Sequence, residues 1–381
     1  MDVDAEAFVT GLRTCFTDLT DPRVSGRCDH LLVDILAISI LGVLCGADDW
    51  PDIETFGTKR REWLQTFLQL PNGIPSHDTF RRVHGLLDRK QFAMCLFQWT
   101  QALHEATGGK LIAIDGKTAR RSLSKKKGLK ALHLVTAWAT ESGLTLGQVA
   151  CDEKSNEITA IPELLKLLNL KGCTVTIDAM GCQTEIAEQI REQKAHYLLG
   201  LKGNQSGLVN DMQEVIDEAI DQNLAGQQYE VYETTEKGHG REETRTCQVI
   251  EIPADHPQRL RWKDLRTLVI MTSLRLIGDV ETRETRFYIS SHKPQAKLLG
   301  QAIRKHWSIE NTLHWSLDVT FGEDERRQQD RNGGANLGSV RRLALSLLRQ
   351  EKTNKRGLKN KRLACALDLD YLLKVLANAK F

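Results

Sequence analysis

Two short runs in this chain end alike. "KLIAID" closes on Asp115, and "CTVTIDAM" reaches Asp178 after four apolar or β-branched residues. A strand buried on both faces rarely ends in a carboxylate for packing reasons, whereas ligands of open α/β sheets bind beyond the carboxyl ends of the strands. One such aspartate reads as the start of a turn. Two of them, with further acids downstream, point to a site. The third acid has several candidates. Glu310 stands in "HWSIENTLHW", which reads as helix and stacks His306, Glu310 and His314 on one face at 3.6 residues per turn. Asp318, Glu323, Asp324 and Glu325 follow; Asp152, Glu153 and Glu157 precede. The cluster at 323–325 in "FGEDERR" reads as a surface loop, and Glu157 as an acid favouring a helix start.

Three carboxylates around a point suit hard divalent cations, Mg2+ first, with Mn2+ able to substitute. Two such ions about 3.5–4 Å apart clamp the attacking and leaving oxygens of a phosphodiester displacement. No separate protein base is then required. Zinc on His306, Glu310 and His314 is the rival chemistry. Residues eight apart on a helix are separated by about 12 Å along its axis, too far to converge on one ion. Trp307 and Trp315 read as core side chains.

The elements that would position these acids change character along the chain. Residues 1–107 carry helical spacing of apolar residues in "DAEAFVTGLRTCF", "LLVDILAISILGVL", "DIETFGTKRREWLQTFL", "SHDTFRRVHGLL" and "RKQFAMCLFQWTQALHEA". Gly108-Gly109 breaks the pattern. From 110 the order is strand, a hairpin of "LHLVTAWAT" and "LTLGQVACD", helix, strand, helix, strand: an α/β layer with a mixed sheet. A helix follows, then a β-rich block at about 225–290, an insertion ahead of the helix that carries Glu310.

The composition bounds the partners. There are 52 lysines and arginines against 50 acids, a net charge of +2, so any nucleic-acid surface is local. Basic residues cluster at 118–130 and 341–363, where Arg341 and Arg342 begin a run that could neutralise phosphates. Lys117 and Arg120 follow Asp115; Lys202 and Asn204 leave the last core strand; His239 and Arg241 lie in a glycine-flanked turn. Each is a candidate DNA contact, as is His306. In "SHDTFRRVHGLL", capped by Ser76, residues His77, Thr79, Arg81 and Arg82 suit a groove-reading helix. Nine cysteines without a CxxC pair read as reduced thiols of a cytoplasmic protein. The start "MDVDAEAF" lacks a signal-peptide core. The apolar run with Asp34 at its fourth position is too short to span a bilayer, so no membrane is expected.

Six strings, "IAIDGKTARRS", "DEKSNEITAIPELL", "TVTIDAMGCQTEIAEQI", "YLLGLKGNQ", "HGREETR" and "HWSIENTLHWSLDVTFGEDERR", occur in this order, behind a helical part with "DPR" and "GIPSHDTFRRV". Together they resemble the H-repeat-associated group of bacterial insertion-sequence transposases, of the DDE class. The resemblance covers nearly the whole chain. It implies an RNase H-like mixed sheet flanked by helices (108–381) with the β-rich insertion, and an all-α DNA-binding domain (1–107). It selects Glu310 as the partner of Asp115 and Asp178. It further implies cleavage at element ends, joining of 3′-hydroxyls to target DNA, double-stranded DNA as partner, a homodimer on DNA, and a nucleoid-associated cytoplasmic location. The chain departs from related transposases at Ile303, His306 and Leu317, where Tyr, Arg and Lys are common; Arg304 and Lys305 are the nearest replacement charge. Two other classes share the three acids: a metal-dependent nuclease without strand transfer, and a domesticated, catalytically silent DNA-binding protein.

Overall fold

The computed structural model describes residues 3–108, 110–122, 130–151, 157–202, 206–221, 228–238, 240–325 and 330–377. Its strands are β1 (Leu111–Ala119), β2 (Leu132–Ala139), β3 (Leu144–Cys151), β4 (Thr174–Ile177), β5 (His196–Leu201), β6 (Tyr229–Gly238), β7 (Arg241–Glu251), β8 (Thr267–Ile277) and β9 (Val280–Ser290). The chain is mixed α/β and forms two compact units. One comprises Met1–Gly109, Gly116–Asn156 and Glu310–Phe381; the other comprises Lys110–Asp115 and Glu157–Ile309.

The second unit is built on a mixed sheet in the order β1-β4-β5-β9-β8-β7-β6. β1, β4 and β5 are parallel, with Ile114 opposite Ile177 and Ile177 opposite Leu199. A parallel neighbour needs a crossover, and the helix Thr184–Glu192 supplies it between β4 and β5. β4 and β5 are buried almost continuously, as strands covered on both faces are. The β-rich block of the sequence is β6–β9, an antiparallel set joined to β5 through β9. The helix Ala296–His306 lays Ala296, Leu299, Ala302 and Ile303 on Leu111, Leu198, Val249 and Val269. Gly300 permits the close approach, since a Cβ there would stand 3.0 Å from Cys247 Cβ.

The first unit centres on the helix Arg331–Gln350, buried from Gly333 to Leu348. Around it pack the helices Leu32–Leu44, His77–Leu86 and Arg89–Thr107, and β3. The N-terminal helices therefore share a core with a helix more than 200 residues later. Leu32–Leu44 is buried from Asp34 onward, and the Asp34 carboxylate accepts a 2.9 Å hydrogen bond from the Leu70 amide. The run "DIETFGTKRREWLQTFL" is not one helix: it divides at Arg60 into Trp50–Lys59 and Arg61–Leu64. β2 and β3 form the expected antiparallel hairpin. Its turn contains Gly143 at φ +69°, a conformation that suits a residue without Cβ. None of the nine cysteines is in a disulfide. Among the described residues no helix is long and apolar enough to cross a membrane.

Candidate active site

In the second unit the two aspartates follow directly on paired residues of neighbouring parallel strands. Ala113 is opposite Thr176 and Ile114 opposite Ile177, so the next pair is Asp115 and Asp178. Side chains alternate along a strand; Asp115 therefore shares a face with Leu111, and Asp178 with Thr176. Leu111 packs under the helix Ala296–His306, and Thr176 Oγ1 lies 2.9 Å from His306 Nδ1 at that helix's last turn. Both aspartates thus belong to the helix-covered face. β1 does not end at Asp115, as expected from "KLIAID", but continues to Ala119.

The Asp178 carboxylate is held by its own backbone. It caps the 3-10 turn Ala179–Gly181, Oδ1 accepting from the Met180 amide at 3.0 Å. β5 fixes the same peptide from the side: a Cβ on Gly200 would stand 3.2 Å from Ala179 N and 3.5 Å from Asp178 C. His306 is half-buried. Burial holds its imidazole down at about 4 against the pull of Asp178, so it is neutral at pH 7. Its bond to Thr176 anchors the helix end beside β4.

Glu310 belongs to the first unit, exposed within a π-helical stretch, Ile309–His314. Such turns are rare and recur at functional sites. The straight helix expected across 306–315 is broken here, so His306, Glu310 and His314 do not form one 3.6-residue stripe. His314 is half-buried, and desolvation pushes its imidazole down to about 3. Trp315 is 58% exposed, not core. Trp307 is half-buried beneath the Arg286 guanidinium, 4.5 Å from its ring centroid.

The larger surprise is "FGEDE". Glu323 is 5% exposed, not a surface loop residue. Its Oε1 lies 2.8 Å from Arg342 Nη1. Lys117 Nζ lies 2.7 Å from Asp318, 3.2 Å from Asp324 and 3.4 Å from Glu323. Burial raises the Glu323 carboxyl, but Arg342, Lys117 and Arg341 outweigh it and hold it at about 2. The sequence suggests Lys117 and Arg342 as DNA contacts; in the fold both are buried and pair with this cluster. Arg341 is likewise buried and donates to the Asp48 carbonyl at 2.7 Å. A guanidinium needs an acid or carbonyl partner before it can be buried, and here those partners lie far away in sequence.

Residues 106–347 match the family described as "Transposase DDE domain", and residues 13–100 match "DDE_Tnp_1-associated". The chain belongs to the DDE transposase family. It is 43% identical over 364 residues to "Putative transposase YncI" of Escherichia coli O157:H7, covering 94% of this chain and 93% of that one. It is 38% identical over 366 residues to "H repeat-associated putative transposase YhhI" of Escherichia coli K12, covering 95% and 96%. The H-repeat-associated resemblance read from the six strings is borne out.

The remaining candidates of this DDE-family transposase chain scatter. Arg120 is exposed, its Nε 3.3 Å from Asp324. Lys202 is exposed at the end of β5. Arg241 is exposed and 3.5 Å from Glu243. Asn204 and His239 lie outside the described residues, as do Asp152 and Glu153. Glu157 opens the helix Glu157–Lys166, as expected, and is buried. Ser76 caps His77–Leu86 through the Thr79 amide. Phe80, Val83 and His84 of that helix are buried, while Arg81 and Arg82 are exposed.

Proposed function

We propose that this chain is a DNA transposase whose Asp115, Asp178 and Glu310 hold two divalent ions, Mg2+ or Mn2+, for cleavage at element ends and strand transfer into target DNA. What supports this reading is that Asp115 and Asp178 directly follow Ile114 and Ile177, the last paired residues of adjacent parallel strands, in a DDE-family chain. The sheet supports an RNase H-like reading of the core: β1 leads into the β2–β3 hairpin, and β4 and β5 are parallel to β1. The division into a DNA-associated part at 1–107 and a catalytic part at 108–381 is proposed on the two family matches, to residues 13–100 and 106–347.

The donor chemistry fits. Among the described residues no group of three or more His, Cys, Asp or Glu side chains is arranged to hold a metal. Magnesium is ordinarily bound by one or two carboxylates, with water and substrate phosphate oxygens completing its shell. The two aspartates supply that minimum, and Glu310 is proposed as the third carboxylate. Bound there, the ions would activate a water or 3′-hydroxyl and stabilise the departing oxygen. The chain's own residues supply orientation. The Met180 amide and the backbone packed over Gly200 fix the Asp178 carboxylate, and Thr176 with His306 fixes the helix end four residues before Glu310. Arg120, Lys202, Arg241, Arg81 and Arg82 are exposed charges able to meet DNA phosphates, with Asn204 and His239 proposed beside them. DNA ends and a second copy of the chain are the proposed partners.

Labelled end DNA with Mg2+ separates the possible activities. Asp115→Asn, Asp178→Asn and Glu310→Gln should each abolish cleavage while leaving DNA binding largely intact. Wild-type cleavage by Glu310→Gln would show that the third acid is another residue. Cleavage without joined product would make the chain a nuclease.

A further inference from the structure

Lys117 follows Asp115 by two residues on β1, and Asp318 follows Glu310 by eight. Downstream of both acids, these two segments are tied by the Lys117 ammonium, which sits among Asp318, Glu323 and Asp324, and by Arg120 and Arg121, which bond to Asp324 and the Glu325 carbonyl. We propose that Lys117 is a positioning residue of the acid site, setting the end of β1 against the segment that leaves the Glu310 turn. The inference rests on the reading of Asp115 and Glu310 as carboxylates of one reaction.

The tie has the properties of a positioning device. Lys117 is 7% exposed, so its ammonium has exchanged water for carboxylates. Three oxygen partners around one charge leave it little freedom to move. The segment is held elsewhere as well: Arg342 pairs with Glu323, Arg120 with Asp324, and Arg362 donates to the Thr320 carbonyl and covers the Phe321 ring at 4.4 Å. Among the described residues Lys117, Arg120 and Arg342 each pair with an acid of this cluster, so the loss of one member is felt. Of these cations Lys117 alone stands on the strand that carries Asp115. Groups that orient metal-binding carboxylates typically change metal affinity or activity about 10- to 100-fold when removed.

The test uses the full chain, labelled end DNA and a Mg2+ titration, with wild type and Asp115→Asn as references. Lys117→Met should bind DNA within about 2-fold of wild type, cleave about 100-fold more slowly at saturating DNA and shift the Mg2+ midpoint upward about 10-fold. Asp324→Asn breaks the same tie from the less buried side and should show the same signature. Its effect should not add to that of Lys117→Met in the double variant. If Lys117→Met does not fold, Asp324→Asn alone decides. An unchanged Mg2+ midpoint in a folded variant, or loss of cleavage only in step with loss of folded protein, would make the cluster purely structural and overturn the inference. Inactive wild-type protein, or an active Asp115→Asn, would instead remove the parent reading and this inference with it.

Discussion

Replacing Glu323 by glutamine keeps the shape of the side chain and removes its charge. Two routes give the cost. The folded carboxyl stands at about 2 against an ordinary 4.5, and at 1.36 kcal/mol per unit that difference is about 3 kcal/mol. Independently, removing one partner of a buried ion pair, here Arg342 at 2.8 Å with both side chains almost inaccessible, costs about 3–5 kcal/mol. At roughly 2–4 °C per kcal/mol for a unit of this size, Glu323→Gln should melt about 6–20 °C below wild type at pH 7. The pH dependence follows from the sign of the shift. A carboxyl lowered in the folded state stabilises fully above its unfolded value near 4.5, and that stabilisation is lost as pH falls toward 2. The gap between wild type and variant should therefore be full at pH 6–7 and fall by about half or more by pH 3. Melting followed by circular dichroism across this range measures it. A variant within 1 °C of wild type at pH 7, or a gap of equal size at pH 3, would refute the assignment of Glu323 as a buried, ion-paired carboxylate.

Other outcomes follow from single contacts. Gly200→Ala places a methyl 3.2 Å from Ala179 N, so it should cut cleavage at least about 10-fold by displacing Asp178, while far-ultraviolet dichroism is unchanged; full activity would mean the Asp178 turn tolerates movement. Thr176→Val removes the partner of His306 and should destabilise by about 1–3 kcal/mol, seen in denaturant melts; an unchanged midpoint would show the bond to be dispensable. Arg81→Ala with Arg82→Ala should flatten the slope of log affinity against log salt by roughly 1–2 units if these exposed charges meet phosphates. Arg341→Ala with Arg342→Ala should leave that slope unchanged and lower the melting temperature instead, because both guanidiniums are buried; binding isotherms over a salt series distinguish the two pairs.

Local pattern was enough for much of this protein. Apolar spacing marks Leu32–Leu44, Arg89–Thr107 and Ala296–His306 as helices, and short apolar runs mark β1, β4 and β5, because such patterns are a property of neighbours in the chain. The two aspartates were legible for the same reason, since each follows an apolar strand run. What those strands could not reveal alone was their register, which sets Asp115 against Asp178. The fate of the charges was less visible still. Lys117, Arg341 and Arg342 look like a basic surface in the sequence, yet all three are buried, because their partners lie at Asp48, Asp318, Glu323 and Asp324. Whether a cation faces solvent or an acid depends on which distant segments meet it, and no local pattern encodes that. Likewise, the break of the helix at Ile309 and the exposure of Trp315 depend on packing against other elements. The sequence by itself determined the elements and the candidate acids; only the tertiary structure decided which charges are left for DNA and which hold the protein together, since burying a charge requires a partner that only the fold can bring.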